Sequence, residues 1–164
     1  MGLVCCGLVP HLELANRPDL IGQPAMVDRG DGHVLAATEE AMMAGVGPGL
    51  TLRQAEALCP AVITTPSDTL GASRLAERMA AALYDLAPAV EVRLDGRAWL
   101  DLAGVPRVAL AVAEARGRLQ ASVGVEPRLG LAPGPFTAAL AAGRAGPAHP
   151  GRGRRGVPGP TPGA

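Results

Sequence analysis

The chain opens on an unbroken apolar run, GLVCCGLV at 2–9. A run with no polar alternation predicts a central strand buried on both faces. Pro10 ends it, and HLELANRPDL reads as a short helix leading to a turn at Arg17 and Pro18. QPAMVD and HVLAAT are two short strands joined by RGDG at 29–32, where Asp-Gly tolerates the positive φ of a hairpin. Thr38, followed by Glu39 and Glu40, opens a helix that Gly45 ends. Thr51 and Gln54 have the spacing of a capping box for the helix that stops before Pro60.

AVITT is the next strand, and 66–88 carries apolar residues at 72, 75, 76, 79, 80, 83 and 86, a helical stripe. AVEVRL and AWLDLAG are strands about a turn at Asp95 and Gly96. VPRVALAVAEARGRLQASVG is a second amphipathic helix, EPRLGLAP a strand and GPFTAALAAG a closing helix. The order β-α-β-β-α-α-β-α-β-β-α-β-α predicts a layered α/β (α+β) domain with a mixed sheet. From Gly143 the apolar period disappears into GRAGPAHPGRGRRGVPGPTPGA, a composition that predicts a disordered Arg/Gly/Pro-rich tail at 143–164 after a folded domain at 1–142.

Composition changes this picture in two respects. The 164 residues suit one domain, and with 48% hydrophobic residues they can build a core. Aromatics are only Trp99, Tyr84 and Phe136, too few for a stacking platform along a single strand of nucleic acid. Net charge is zero, but residues 1–142 carry 11 Arg against 15 acids, a balance of −4, and the tail carries four Arg and no acid. The folded part therefore lacks the basic footprint of an autonomous DNA binder. Cys5, Cys6 and Cys59 have neither metal-ligand spacing nor an even count for a disulfide framework, which points to reduced buried thiols in a cytoplasmic protein. Adjacent Cys5 and Cys6 are expected on opposite faces of the first strand. No apolar run is long enough to span a bilayer, and no membrane association is expected.

Candidate chemistry is sparse. Two-metal phosphoryl transfer needs carboxylates converging on Mg²⁺. The first strand has none, and Asp95 and Asp101, six residues apart, would lie ~20 Å apart in one extended stretch. That separation cannot bind one metal pair, and a turn aspartate and a strand-end cap account for them better than a site does. GVGPGLT and GLAPGPFT are Gly-rich but lack Walker spacing and a Lys. His11, His33 and His149, and Ser67, Ser73 and Ser122, stand in no catalytic pattern. GRGRR at 151–155 could touch phosphate or be a solvated tail.

Four stretches in order resemble the N-terminal catalytic half of Y-family (DinB/UmuC-like) DNA polymerases over about 140 residues. NRPDLIGQPAMV resembles the family's xNPELRGKPVAV, and VLAATEEAMMAGVGPGLTLRQAEALCP its VxxASYEARxxGVRSGMPLxxAxxLCP. AWLDLAG resembles AYLDLTG, and SVGVEPRLGLAPGPFTAALAA resembles SxGIAxNKxLAKLAS. The resemblance implies a palm-type sheet with a small fingers region.

The same alignment implies lost chemistry. Counted back without gaps from RPDL, the two acids of the family's DMDAFF fall on Val4 and Cys6. The Tyr and Arg that hold the incoming triphosphate fall on Glu39 and Met42. The Asp and Glu of SxDEA fall on Gly96 and Arg97, and only a one-residue shift would bring Asp95 to the Asp position. The NK pair becomes Gly134 and Pro135. An arginine in place of a metal-binding carboxylate removes affinity for Mg²⁺ and adds repulsion.

The pattern resembles ImuB-like proteins, the catalytically silent relatives. It implies no catalytic residue beyond the weak candidate Asp95, no cofactor, and a scaffold role in DNA repair and translesion synthesis. Implied partners are DNA, a sliding clamp, an error-prone polymerase and a RecA-like protein, bound largely through later regions that this chain lacks. A truncated or frame-shifted gene is the expectation for the abrupt tail. Two alternatives stay open: an active error-prone polymerase, which would need Mg²⁺, and an unrelated phospho-ligand-binding α/β module.

Overall fold

The computed structural model describes residues 2–145. The chain forms β1 (Val4–Leu8), α1 (Leu12–Ala15), a 3₁₀ turn (Pro18–Leu20), β2 (Ala25–Asp28), β3 (Val34–Ala37), α2 (Glu39–Met43) and α3 (Leu52–Leu58). It continues through β4 (Ile63–Pro66), α4 (Thr69–Leu83), β5 (Ala89–Val92), β6 (Arg97–Asp101), α5 (Val108–Val123), β7 (Arg128–Ala132) and α6 (Pro135–Arg144). The order matches the expected one. The expected mixed sheet resolves into two sheets. One has the order β5-β6-β1-β7 and is antiparallel at every pairing. The other has the order β3-β2-β4, and the parallel pairing is confined to β2 with β4. The closing helix runs on through Gly143 to Arg144, and the rest of the expected tail lies outside the described residues.

β1 is central because nothing along it is polar. Cys5, Cys6 and Gly7 are fully or almost fully buried, with neighbours hydrogen-bonded on both sides. Cys5 faces α4 and α5, in a core with Leu12, Leu75, Met79, Leu83, Leu100 and Leu119. Cys6 faces α6, in a smaller cluster with Ala132, Ala138 and Ala142. The two thiols thus take opposite faces, as alternation requires. Burial pushes both up to about 11.

α6 lies close against the second face because its contact residues are small. A Cβ on Gly130 would sit 2.2 Å from both the Ala138 carbonyl oxygen and the Ala142 amide nitrogen, so only glycine fits there.

The three-stranded sheet has its own cores, one of Met26, Val34, Ala41, Val46, Ala55 and Cys59. The capping box at Thr51 and Gln54 is formed, with each side chain accepting from the other's backbone amide. The short α1 joins the two units: Leu12 enters the core under the four-stranded sheet, while Leu14 packs with Leu20, Ala25, Val27 and Ala36. Between them Glu13, buried, accepts from Ser67 Oγ at 2.6 Å and Thr69 Oγ1 at 3.3 Å, which ties α1 to the start of α4. Among the described residues no helix is long and apolar enough to cross a membrane.

Candidate functional site

One face of the four-stranded sheet is filled by α4 and α5. The opposite face is covered by α6 chiefly over β1 and β7, with Trp99 of β6 reaching its start. Residues directly opposed on antiparallel strands share a face, so the register lays out this open face in three rows. The first row is Arg97 opposite Leu8, and Leu8 opposite Arg128. The second is Glu91, Trp99, Cys6 and Gly130. The third is Ala89, Asp101, Val4 and Ala132.

The hairpin between β5 and β6 closes the first row. Gly96 has φ +92° and donates to Arg93 O at 3.1 Å, while its own carbonyl accepts from Val9 N at 2.9 Å. A Cβ there would lie 2.1 Å from Val9 O, so the turn and β1 meet in backbone contact that excludes any side chain. Asp95 accepts from Arg97 N at 3.1 Å and lies 3.5 Å from the Arg97 guanidinium. Asp101 accepts from Ala103 N at 2.9 Å at the far end of β6. One is a turn aspartate and the other a strand-end cap.

The residues singled out from the sequence are thus distributed along the sheet. Gly96 and Arg97 meet Leu8, Val9 and Pro10. Val4 lies four residues further along β1, ~13 Å away, opposite Asp101. Cys6 is fully buried between Trp99 and Gly130. Glu39, at the first turn of α2, reaches across from the other sheet to accept from Arg128 Nη2 at 3.2 Å. Met42 is exposed on α2. Pro135 presents its carbonyl to Trp99 Nε1 at 3.3 Å. No residue from 2 to 10 is Asp or Glu, so no choice of register brings a carboxylate from β1 to this turn.

Among the described residues no three His, Cys, Asp or Glu side chains come together in a group able to hold a metal. His11 accepts from Glu13 N at 3.3 Å and caps α1, and burial holds its imidazole below the usual range. His33 pairs with Asp31 in the RGDG hairpin, Ser67 donates to Glu13 of α1, and Ser122 donates to the Arg118 carbonyl one turn back. His149 and the GRGRR stretch lie outside the described residues.

Two residues of this face escape a reading of the sequence alone: Arg93 and Arg128. Arg93 N donates to Arg97 O at 2.9 Å, so Arg93 extends the first row, and its guanidinium lies 5.9 Å from the Trp99 ring centre. The signal was the equal distance of Arg93 and Arg97 from the centre of the turn, which pairs them once the hairpin is drawn.

The four-stranded antiparallel sheet with helices against it is a palm-like fold. The family model of the impB/mucB/samB family matches residues 9–143, and the chain belongs to that family. It is 33% identical over 137 residues to DNA polymerase IV of Pelotomaculum thermopropionicum, covering 79% of this chain and 34% of that protein. It is 33% identical over 146 residues to DNA polymerase IV 2 of Mycobacterium tuberculosis, covering 84% of this chain and 42% of that protein. The fold is that of Y-family DNA polymerases. Superposition on DinB from Sulfolobus solfataricus gives a TM-score of 0.76 at 21% identity, over 90% of this chain and 46% of that one. An insertion ternary complex of Dbh DNA polymerase gives 0.74 at 20% identity, over 88% and 46%. The chain spans less than half the length of these relatives. Family membership sets aside the unrelated phospho-ligand module.

Proposed function

We propose that this chain is a non-catalytic palm and fingers module of the Y-family, of the ImuB-like kind, with a scaffold role in DNA repair and translesion synthesis. The observation that supports it is the acid-free first strand beside a turn of Gly96 and Arg97. Two-metal phosphoryl transfer needs carboxylates on neighbouring strands within reach of one ion pair. Here the strand residue facing Arg97 is Leu8, and the carboxylates at either end of β6 are held by backbone amides. On the fingers side, the positions where the family holds the triphosphate carry Glu39, already paired with Arg128, and exposed Met42. Neither suits an incoming anion.

The domain reading of 1–142 as a palm and fingers unit belongs to the same proposal. So do a cytoplasmic location and contacts with DNA, a sliding clamp, an error-prone polymerase and a RecA-like protein. Structural relatives that are polymerase complexes support the DNA contact.

The test is titration of Mg²⁺ and Mn²⁺ into the full chain with primer–template and nucleotide present, run beside a primer-extension assay. The expected result is no saturable metal binding and no extension, from protein shown to be folded by circular dichroism. Template-dependent extension abolished by Asp95→Ala would overturn the proposal in favour of an active polymerase.

A further inference from the structure

Glu13 is 5% exposed, and its two oxygens are unequally served. Oε1 accepts from Ser67 Oγ and Thr69 Oγ1, whereas Oε2, also buried, meets no donor among the described residues. An orphaned acceptor of this kind costs free energy until a donor reaches it. Glu13 lines a cleft of about 560 Å³ between α1, β3, the start of α4 and the β5–β6 hairpin, a volume in the range of small-molecule sites. The walls of the cleft are fastened together. Leu12 N donates to Leu94 O at 2.9 Å, and Ser67 Oγ donates to Glu13 Oε1 at 2.6 Å. The cleft is therefore preformed, which lowers the ordering cost of binding.

The polar end of the cleft holds Glu13, Thr69, His11 and, at the rim, Asp95. Burial holds the His11 imidazole below its usual range, so it adds no positive charge at neutral pH. Asp95 is balanced by Arg97 at 3.5 Å. Arg93 borders the cleft, but its guanidinium lies over the Trp99 ring, 5.9 Å from the ring centre. The uncompensated charge is thus the Glu13 carboxylate. The other end is apolar, made of Leu35, Val92 and Leu94. One anionic end and one apolar end select an amphipathic cation. We propose that this cleft binds a small organic amine, its protonated primary amino group donating to Glu13 and its apolar stem lying against Leu35, Val92 and Leu94. The soft last torsion of Glu13 lets the carboxylate turn its free oxygen toward the incoming group. A metal ion does not suit the cleft, since among the described residues no three His, Cys, Asp or Glu side chains are grouped to hold one. The catalytic state of the palm plays no part in this proposal, and primer extension scores that separately.

The measurement is an amide NMR titration of the full chain with n-butylamine at neutral pH and constant ionic strength. Saturable shifts are expected at the amides of Glu13, Thr69 and Leu94. The uncharged n-butanol should bind roughly ten-fold more weakly, the size of one charge-assisted hydrogen bond. Glu13→Gln, which keeps an oxygen for Ser67, should weaken n-butylamine by the same factor. Asp95→Asn should weaken it less, by leaving the Arg97 charge unbalanced at the rim, and this exposed position keeps the test open should Glu13→Gln fail to fold. Glu77→Gln removes an exposed carboxylate elsewhere on α4 and should leave affinity unchanged. A lysine side chain of a partner has the same head and stem, so Nα-acetyl-lysine methylamide is titrated beside n-butylamine.

Absence of saturable shifts would overturn the site, and a raised melting temperature in Glu13→Gln would then mark a buried acid that binds nothing. Equal affinity for n-butanol would overturn the cationic head. So would unchanged affinity in every variant of Glu13 and Asp95 that folds, or losses in these no greater than in Glu77→Gln. Tighter binding of the blocked lysine than of n-butylamine would overturn the free amine in favour of an inserted protein side chain.

Discussion

The two faces of the four-stranded sheet obey different rules. The face under α4 and α5 is apolar at every position, from Cys5 and Leu100 at its centre to Val90 and Val92 at its edge. The open face of the same strands carries Arg93, Arg97, Arg128, Glu91 and Asp101 around Trp99 and Leu8. A strand's two faces can differ chemically because successive side chains point to opposite sides of the sheet. One face can therefore hold the apolar core while the other carries charged side chains.

The largest break in this comparison should come from the covered face. Leu100→Ala removes a fully buried side chain, and urea unfolding should show a loss of about 2–5 kcal/mol. Gly130→Ala should follow, at roughly 1–3 kcal/mol, because its Cβ meets backbone atoms of α6 that cannot turn aside. Melting in the two variants should stay cooperative.

A pH series tests the buried thiols. Their folded pKa values of about 11 lie above the ordinary 9.0, so burial favours the protonated form. The stability they contribute is complete below pH 9 and is lost as pH rises from 9 towards 11. Slow alkylation of Cys5 and Cys6 at pH 8, becoming fast on unfolding, would confirm it, and rapid labelling of the native protein would refute it. The smallest effect belongs to the open face. Arg97→Gln, in an exposed pair with Asp95, should change stability by no more than about 0.5 kcal/mol. A loss comparable to that of Leu100→Ala would erase the distinction between the faces.

Element order and most caps were legible because each rests on local signals: the apolar run of β1, the RGDG hairpin, the Thr51–Gln54 box and the stripe of α4. The division into two sheets was not, since strand pairing between residues as distant as Val4 and Ala132 leaves no local trace. The absence of acids from the first strand was legible directly. The residues actually facing Gly96 and Arg97 were not, because an ungapped count cannot see where β1 ends against β6. The row of arginines was hidden for the same reason. Its members come from three places in the chain and become neighbours only through the register.

Helix α1 is one turn long, yet it places Leu12 in one core and Leu14 in the other, with Glu13 fastened to the start of α4. A single turn of helix thus links the two sheets. In native-state hydrogen exchange the slowest amides of β1 and β2 should report a single common opening free energy, the two units behaving as one foldon.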